Sequence, residues 1–223
     1  MGRKAEKILS DLEEELNFIS QLGIKYFIKP VQLEEPANND FRTLEQEILT
    51  CRKCHLHSLR KHAVPGEGNL KAELMFVGEA PGQDEDIQGR PFVGRAGKLL
   101  TRIINAMGFK REDVFITNIV KCHPPNNRNP NQEEINSCKD YLYRQISIIR
   151  PRVIVTLGNV PTHFFIPLNE GISKLRGGFY EVDQIQIMPT FHPSYLIRNE
   201  AEKTRRKMVW EDMQKVMALL GKK

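Results

Sequence analysis

The chain contains 223 residues, and at roughly 150 residues per domain this length favours one sizeable domain with an appendage. Apolar residues make up 40% of the chain and charged residues 27%, which excludes disordered, collagen-like and coiled-coil proteins. The sequence has no apolar run of about eighteen residues and its N-terminus is charged, so we expect a cytoplasmic protein without a signal peptide or membrane span.

The charge is distributed unevenly along the chain. The sequence has 33 basic and 28 acidic residues, of which residues 1–40 contain 5 and 8, so the remaining chain carries a net charge of +8. A basic main body favours a polyanionic partner, nucleic acid first, over a merely solvated surface.

The first 40 residues are predicted to form a helical extension and a linker. Residues 5–22 have the apolar stripe of an amphipathic helix, which consists of Ala5, Ile8, Leu9, Leu12, Leu16 and Ile19. Prolines and asparagines between residues 30 and 40 indicate a linker. We therefore predict an extension over residues 1–40 and a main domain over residues 41–223.

From residue 41 onward, short apolar runs alternate with helical periodicity. The predicted strands cover residues 73–78, 114–120, 152–158, 179–182 and 185–188, and the predicted helices cover residues 95–107, 132–149 and 202–220. This order predicts an α/β fold with three layers, α/β/α, around a mostly parallel central sheet. Functional residues in such folds lie in loops beyond the carboxyl ends of the strands.

The first predicted strand ends in a loop rich in glycine. It begins with Gly78-Glu79-Ala80-Pro81-Gly82 and continues through Gly89-Arg90-Pro91-Phe92-Val93-Gly94. Such glycines permit close approach of backbone N–H groups to a ligand, so the loop is either a ligand cradle or a long surface turn. Phe92 is either a plug for the local core or a platform on which a planar ligand stacks.

Two further strand ends carry polar residues. Asn118 ends the second strand, and its amide can read a nucleobase edge, although asparagine also caps turns. The last strand leads into residues 190–198, which include His192. A single histidine is often structural, but this run also suits an imidazole directed into a pocket, with Tyr195 or Leu196 in a base stack and Arg198 on a phosphate.

The four cysteines are too few and too unevenly placed for a disulfide scaffold. Cys51 and Cys54 form a C-x2-C pair, and fifteen residues separate Cys122 from Cys138. Four thiolates suit either a tetrahedral zinc ion or an iron–sulfur cluster, and this spacing leaves both open.

Four motifs in this order resemble the uracil-DNA glycosylase superfamily. They are Gly-Glu-Ala-Pro-Gly (78–82), Gly-Arg-Pro-Phe-Val-Gly (89–94), Thr-Asn-Ile-Val-Lys-Cys-His-Pro-Pro (117–125) and His-Pro-Ser-Tyr (192–195). The sequence is similar to the family 4, iron–sulfur-containing branch of bacteria and archaea. The resemblance covers residues 42–220 and leaves residues 1–40 outside it.

The resemblance implies a DNA repair enzyme that removes uracil. Phe92 would stack on a uracil flipped out of DNA, Asn118 would read its polar edge, and His192 would donate a hydrogen bond to uracil O2 as negative charge develops. Further substrate contacts are implied at Glu79, Ala80 and Glu85. The implied DNA-binding residues after the last strand are Ser194, Tyr195, Leu196 and Arg198.

The resemblance also implies how the bond is cut. The best-known branch has an aspartate where this sequence has Ala80, so no strong general base is evident and His192 should dominate, with Glu79 and Glu85 in secondary catalytic roles. Glu85 would also crowd the site of a thymine methyl group. No lysine is placed as a covalent nucleophile, so we expect a monofunctional hydrolase that leaves an intact abasic site.

The resemblance favours a structural 4Fe-4S cluster over zinc. Its implied ligands are Cys51, Cys54, Cys122 and Cys138. We expect a monomer that acts on uracil-containing DNA, with residues 1–40 available for protein contact.

Three other interpretations remain open. A related branch traps uracil covalently through a histidine in an inserted Arg-Arg-Ile-His loop, and residues 119–128 lack that insertion. A non-enzymatic iron–sulfur DNA-binding protein would have no need of a pocket built from Phe92, Asn118 and His192. A zinc-containing nucleotide hydrolase would need a carboxylate cluster for magnesium, which only residues 84–86 approach.

Overall fold

A computed structural model of the chain describes residues 24–27, 40–198 and 203–222. In chain order, the strands of its sheet are β1 (Ile24–Phe27), β2 (Glu67–Gly68), β3 (Leu74–Gly78), β4 (Phe115–Asn118), β5 (Val153–Leu157), β6 (Phe179–Val182) and β7 (Ile185–Thr190). The helices are α1 (Phe41–Thr50), α2 (Gln83–Gln88), α3 (Arg95–Ala106), α4 (Gln132–Ile149), α5 (Asn159–Phe165), α6 (Ile172–Leu175), α7 (Pro193–Arg198) and α8 (Lys203–Leu219).

The strands lie across the sheet in the order β1-β6-β7-β5-β3-β4-β2. The central strands β4, β3, β5 and β7 pair in parallel, whereas β2 and β6 pair antiparallel with β4 and β7. Every residue of β3, β4 and β5 is buried, as expected where helices cover both faces of a parallel sheet.

Successive residues of β3 point into two different core layers. Met75 and Val77 pack in the layer that contains the buried residues of α1 and α4, whereas Leu74 and Phe76 pack in the layer of α3 and α8. Burying a side chain of this size contributes about 1.5–3 kcal/mol of transfer free energy. The three-layer α/β/α architecture and mostly parallel sheet confirm the predicted fold class.

A capping box fixes the start of α4. The Asn131 side chain accepts a hydrogen bond from the Glu134 backbone N–H (2.9 Å), and the Glu134 carboxylate accepts one from the Asn131 backbone N–H (2.8 Å). Glu134 also accepts two hydrogen bonds from the Arg128 guanidinium. The loop after β4 is thereby tied to the first turn of α4, one turn before Cys138.

The long predicted elements agree with the structure. The predicted strands at 73–78, 152–158 and 179–182 match β3, β5 and β6 to within one residue, and the three predicted helices match α3, α4 and α8 equally closely. β4 ends two residues earlier than predicted and β7 ends two residues later. The glycine-rich loop contains a short helix, α2, which the sequence did not predict.

Part of the predicted N-terminal extension joins the sheet. β1 pairs in parallel with β6, with Ile24 opposite Phe179. The predicted helix over residues 5–22 and most of the linker lie outside the described residues, so the division at residue 40 stays a prediction. No helix in the described residues is long and apolar enough to cross a membrane.

Candidate active site at the carboxyl edge of the sheet

The structure brings the strand-end residues to one edge of the sheet. Strands β3, β4, β5 and β7 run in the same direction, so their carboxyl ends lie side by side. Gly78 at the end of β3 lies opposite Asn118 at the end of β4, and the neighbouring β5 and β7 end with Leu157 opposite Thr190. The residues predicted on separate loops therefore meet in one place.

Gly78 allows Phe92 and Asn118 to approach one another. A Cβ atom on Gly78 would lie 2.3 Å from Asn118 Oδ1 and 2.6 Å from Phe92 Cζ. Any side chain at this position would displace both groups. Phe92 also lies beside His192, with ring centroids 5.8 Å apart and ring planes inclined by 38°. Phe92, Asn118 and His192 form the base pocket referred to below.

Phe92 is both a core residue and a wall of the base pocket. Its side chain is only 7% exposed and packs in the core layer of α3 and α8. Its φ of 50° is a left-handed conformation that bulky residues rarely adopt. The backbone at Phe92 is also closely packed, since a Cβ on Gly97 would lie 1.8 Å from the Phe92 carbonyl oxygen.

Asn118 presents an unsatisfied acceptor in the base pocket. The residue is 1% exposed, and its Oδ1 is buried without a hydrogen-bond partner among the described residues. Leaving such an acceptor unpaired costs about 1–3 kcal/mol, so native structures retain one where a ligand supplies the donor. The position of Asn118 therefore favours a ligand-reading role over that of a turn cap.

A buried lysine, Lys121, holds the backbone of Asn118 in place. The Lys121 ammonium donates to the Asn118 backbone oxygen (2.6 Å), to Thr117 Oγ1 (2.7 Å) and to Gln145 Oε1 (2.7 Å). Burial lowers the pKa of Lys121 to about 7. Lys121 was not predicted from the sequence, where its place before a cysteine gives no sign of burial.

Ser194 orients the imidazole of His192. The His192 Nδ1 accepts a hydrogen bond from the Ser194 backbone N–H (3.1 Å) and lies 2.7 Å from the Ser194 hydroxyl oxygen. A ring nitrogen that accepts carries no proton, so in neutral His192 the proton resides on Nε2. Ser194, which was predicted to contact DNA, thus sets the tautomer that makes Nε2 a donor.

Glu79 and Ala80 follow β3 and lie between the strand ends. Both residues are half-buried, and the Glu79 carbonyl accepts a hydrogen bond from the Val120 N–H (3.0 Å). Burial raises the pKa of the Glu79 carboxyl above its ordinary value. This raised pKa marks Glu79 as a carboxylate at the edge of a partly desolvated site.

Glu85 links the two glycine-rich turns. Its carboxylate accepts hydrogen bonds from the backbone N–H groups of Val93 (2.8 Å), Gly94 (2.9 Å) and Gly82 (3.1 Å). Oε1 is therefore engaged by the backbone that directly follows Phe92, and Oε2 is engaged by the earlier turn at Gly82. The contacts of Glu85 are those of a residue that shapes the loop.

The structure changes the expectation for the segment after β7. Leu196 is 2% exposed and packs in the core layer of α3 and α8, so it is not available to enter a base stack in this conformation, contrary to expectation. Tyr195 is only half-buried and lies under the Arg205 guanidinium, 4.5 Å from the ring centroid. The Arg198 side chain lies outside the described residues.

The four cysteines are here called the thiol site. They lie in or against the core layer of α1 and α4. Cys122 and Cys138 are buried, and Cys51 and Cys54 are half-buried against the same layer. Burial raises the pKa of the Cys54 and Cys122 thiols and raises that of Cys138 to about 12. Repulsion from Cys51 adds to the increase in the pKa of each of these three thiols.

Three N–H groups point at sulfur atoms in the thiol site. The Lys53 backbone N–H donates to Cys51 Sγ (3.4 Å), the Lys121 backbone N–H donates to Cys138 Sγ (3.3 Å), and Arg60 donates to Cys122 Sγ (3.0 Å). Donors of this kind stabilise thiolates. Arg60 was not predicted from the sequence, because it is one of several basic residues in an ordinary-looking loop.

The chain matches a known protein family over most of its length. A profile described as the uracil DNA glycosylase superfamily matches residues 65–214. The chain therefore belongs to the uracil DNA glycosylase superfamily.

Within that superfamily, the chain is similar to curated type-4 uracil-DNA glycosylases. It is 52% identical to the type-4 enzyme of Saccharolobus solfataricus, with 81% of this chain and 86% of the relative aligned. It is 49% identical to that of Sulfurisphaera tokodaii (79% and 83%) and 46% identical to that of Archaeoglobus fulgidus (80% and 92%). These similarities confirm the resemblance to family 4 that the motifs indicated.

Proposed function

We propose that this protein is a uracil-DNA glycosylase that hydrolyses the bond between uracil and deoxyribose in DNA, the first step of base excision repair. The observation that carries the proposal is Oδ1 of Asn118, which is buried beside the ring of Phe92 and has no hydrogen-bond partner within the described part of the chain. The type-4 relatives support the same activity by name. Because the base must leave the duplex, at a cost of a few kcal/mol, uracil mispaired with guanine is the favoured target.

Uracil has the hydrogen-bonding groups that the base pocket requires. Its N3–H can donate to Asn118 Oδ1, and its O4 can accept from the Asn118 amide nitrogen. Cytosine has an acceptor at N3 and an amino group at position 4, so it would set acceptor against acceptor and donor against donor. The Phe92 ring provides a stacking surface for either base. We therefore assign the discrimination between uracil and cytosine to Asn118.

His192 stabilises the departing uracil. As the glycosidic bond breaks, its electron pair moves into the base and negative charge accumulates on uracil O2. The Nε2–H of His192, fixed by the acceptor role of Nδ1, donates a hydrogen bond to that oxygen. Removing one such donor from a desolvated site typically costs about 2.7–4 kcal/mol of transition-state stabilisation.

The sugar cation is stabilised by charge and consumed by water. When the carboxyl group of Glu79 is ionised, its negative charge stabilises the positive charge on the sugar. Water then adds to C1′ of the sugar, and the proton that it loses passes through solvent to the uracil anion, which leaves free uracil and an intact abasic site. Lys121 is not a nucleophile, because Nζ donates three hydrogen bonds in the buried network.

Glu85 acts as a positioning residue. Its three hydrogen bonds to backbone N–H groups tie the turn at Gly82 to the turn that directly follows Phe92. This role replaces the secondary catalytic role predicted from the sequence, since a carboxylate with both oxygens engaged is poorly placed to activate water.

The segment after β7 and the start of α8 form the DNA-binding face. Tyr195 is half-buried beneath Arg205, and the first turns of α8 carry further basic residues, Lys203, Arg206 and Lys207. Basic side chains of this kind bind phosphates without reading the sequence. We retain Tyr195 and Arg198 as proposed DNA contacts and the cytoplasm as the proposed location.

The thiol site suits a 4Fe-4S cluster held by Cys51, Cys54, Cys122 and Cys138. Four cysteine thiols are the donor set that such a cluster takes, and N–H groups donate to three of the sulfur atoms. The similarity to type-4 enzymes favours such a cluster over a zinc ion. When bound, the cluster would cross-link the segment that directly follows α1, the loop after β4 and helix α4. We assign it no step of the reaction.

The direct test uses the complete chain purified without oxygen. The enzyme is incubated with an end-labelled oligonucleotide that contains one uracil, and half of each sample is then heated in alkali. We expect brown protein and a cut at the uracil that appears only after alkali. A cut without alkali, a covalent protein–DNA adduct, or no cut by iron-loaded protein would each contradict the proposal.

A further inference from the structure

Phe92 occupies its left-handed conformation because neighbouring groups hold the backbone on both sides. On its C-terminal side, Glu85 binds the N–H groups of Val93 (2.8 Å) and Gly94 (2.9 Å). On its N-terminal side, the Arg111 guanidinium donates to the Pro91 carbonyl oxygen. A bulky residue with a φ of 50° persists only where surrounding contacts determine it, and these two contacts flank it directly.

Arg111 is itself rigidly held. Its Nε donates to Glu67 Oε1 (2.6 Å) and its Nη1 donates to Thr101 Oγ1 (3.1 Å), while its side chain is only 19% exposed. Thr101 in turn donates to the Gly97 carbonyl oxygen (3.0 Å), and Gly97 packs against the Phe92 backbone. One guanidinium therefore connects edge strand β2, helix α3 and the residue before Phe92.

A neighbouring arginine shares the carboxylate but not the loop contact. Arg90 donates to Glu67 at 2.8 and 3.2 Å, and its side chain is 60% exposed. Among the described residues Arg90 makes no hydrogen bond to Pro91, and its ion pair with Glu67 faces solvent. The chain thus offers a matched comparison between two arginines bound to one glutamate.

We infer that Arg111 is a positioning residue for uracil excision, which preorganises Phe92 as a stacking platform by holding the Pro91 carbonyl. This inference rests on the proposed stacking role of Phe92. Without Arg111, the loop can relax towards a more common backbone conformation and the ring moves away from Asn118 and His192. Displacements of about 1 Å in a reacting complex can cost up to roughly a hundredfold in rate.

The test is a double-mutant cycle in single-turnover cleavage of a uracil oligonucleotide. Arg111→Met should slow cleavage by about tenfold, because stacking geometry is degraded and not abolished. Affinity for a uracil-free duplex should stay within about twofold, since phosphate contacts lie elsewhere. In a Phe92→Ala background, Arg111→Met should cause less than about a twofold further loss, because the two residues act through one contact. The control Arg90→Met should cleave at nearly the wild-type rate.

Several outcomes would overturn the inference. One is an equal loss from Arg111→Met with and without Phe92, and another is an equal loss from Arg90→Met. If Phe92→Ala cleaves normally, the stacking role and this inference both fail while the glycosylase activity stands. If Arg111→Met does not fold, Arg111→Lys enters the same cycle, with a smaller loss expected that again disappears without Phe92.

Discussion

The thiol site and the base pocket are stabilised in opposite ways. At the thiol site, backbone N–H groups and Arg60 donate to sulfur atoms, and the Arg60–Cys122 bond joins residues 62 positions apart. In the base pocket, Asn118 Oδ1 is buried without a partner in the described chain, and Phe92 has a strained backbone. The polar contacts of the thiol site thus hold distant parts of the chain together, whereas the base pocket retains an unsatisfied acceptor and a strained backbone for a ligand.

The largest expected effect is a loss of cleavage rate in a variant that still folds. His192→Ala should lower the single-turnover cleavage rate by about a hundredfold to a thousandfold, because a donor to the developing oxyanion is lost. Its unfolding temperature should change little, since His192 is half-exposed. Glu85→Ala is the comparison variant and should lose less, because Glu85 acts only through the loop. Equal or reversed losses in the two variants would contradict the assignment of His192.

Asn118→Ala tests whether the unpaired acceptor in the base pocket lowers the free energy of unfolding while it serves uracil recognition. We expect cleavage to fall by about a hundredfold, because uracil loses its paired hydrogen bonds. The free energy of unfolding should fall by less than a buried Asn→Ala change normally costs, since the substitution also removes an unpaired acceptor costing about 1–3 kcal/mol. Thr162→Val is a suitable control, because it breaks a satisfied buried hydrogen bond to Thr156 (2.9 Å). A larger loss of stability in Asn118→Ala than in Thr162→Val would contradict this view.

Cys138→Ser tests the other half of the comparison. Serine cannot replace a thiolate ligand and leaves a buried hydroxyl among apolar neighbours, so we expect at least about 2 kcal/mol of lost stability, or roughly 4–8 °C in Tm. The brown colour should be lost, and activity should decrease in step with the folded fraction. Unchanged colour and Tm together would show that Cys138 is not a ligand.

The smallest expected effect concerns Glu79. Burial raises its pKa above the ordinary value of 4.5, and the ionised form is the one that stabilises the sugar cation. As the pH falls through this raised pKa, Glu79 becomes protonated and the wild-type rate should fall by roughly threefold to tenfold. Glu79→Gln should have the lower rate at neutral pH and lack this acidic decline. An identical acidic limb in both proteins would assign the titration to another group.

The long elements are predictable because their patterns are strong. β3 and β5 are continuous buried apolar runs bounded by turn residues, and α4 begins with a capping box that can be read from Asn131 and Glu134. Strand β2 has two residues and is too short to show a pattern. Helix α2 has the sequence Gln-Asp-Glu-Asp-Ile-Gln, whose single apolar residue forms no helical apolar stripe.

The principal residues of the base pocket could be predicted, but their supporting contacts could not. Motifs place Phe92, Asn118 and His192 at strand ends, and the topology then brings them together. Leu196 was assigned to DNA because six residues of α7 cannot reveal which side faces the core. Arg111 was not identified, because its contact with Glu67 spans 44 residues and only the folded chain brings the two side chains together.

The central claim is that the base pocket reads uracil through Asn118. It is tested most directly by single-turnover cleavage of three duplexes that differ only in having uracil, cytosine or thymine opposite the same guanine. We predict alkali-dependent cleavage at uracil alone, because cytosine mismatches the Asn118 amide and thymine carries an additional methyl group. Cleavage of cytosine at a rate comparable with that of uracil would contradict the claim, whereas cleavage of thymine alone would contradict only the exclusion of the methyl group.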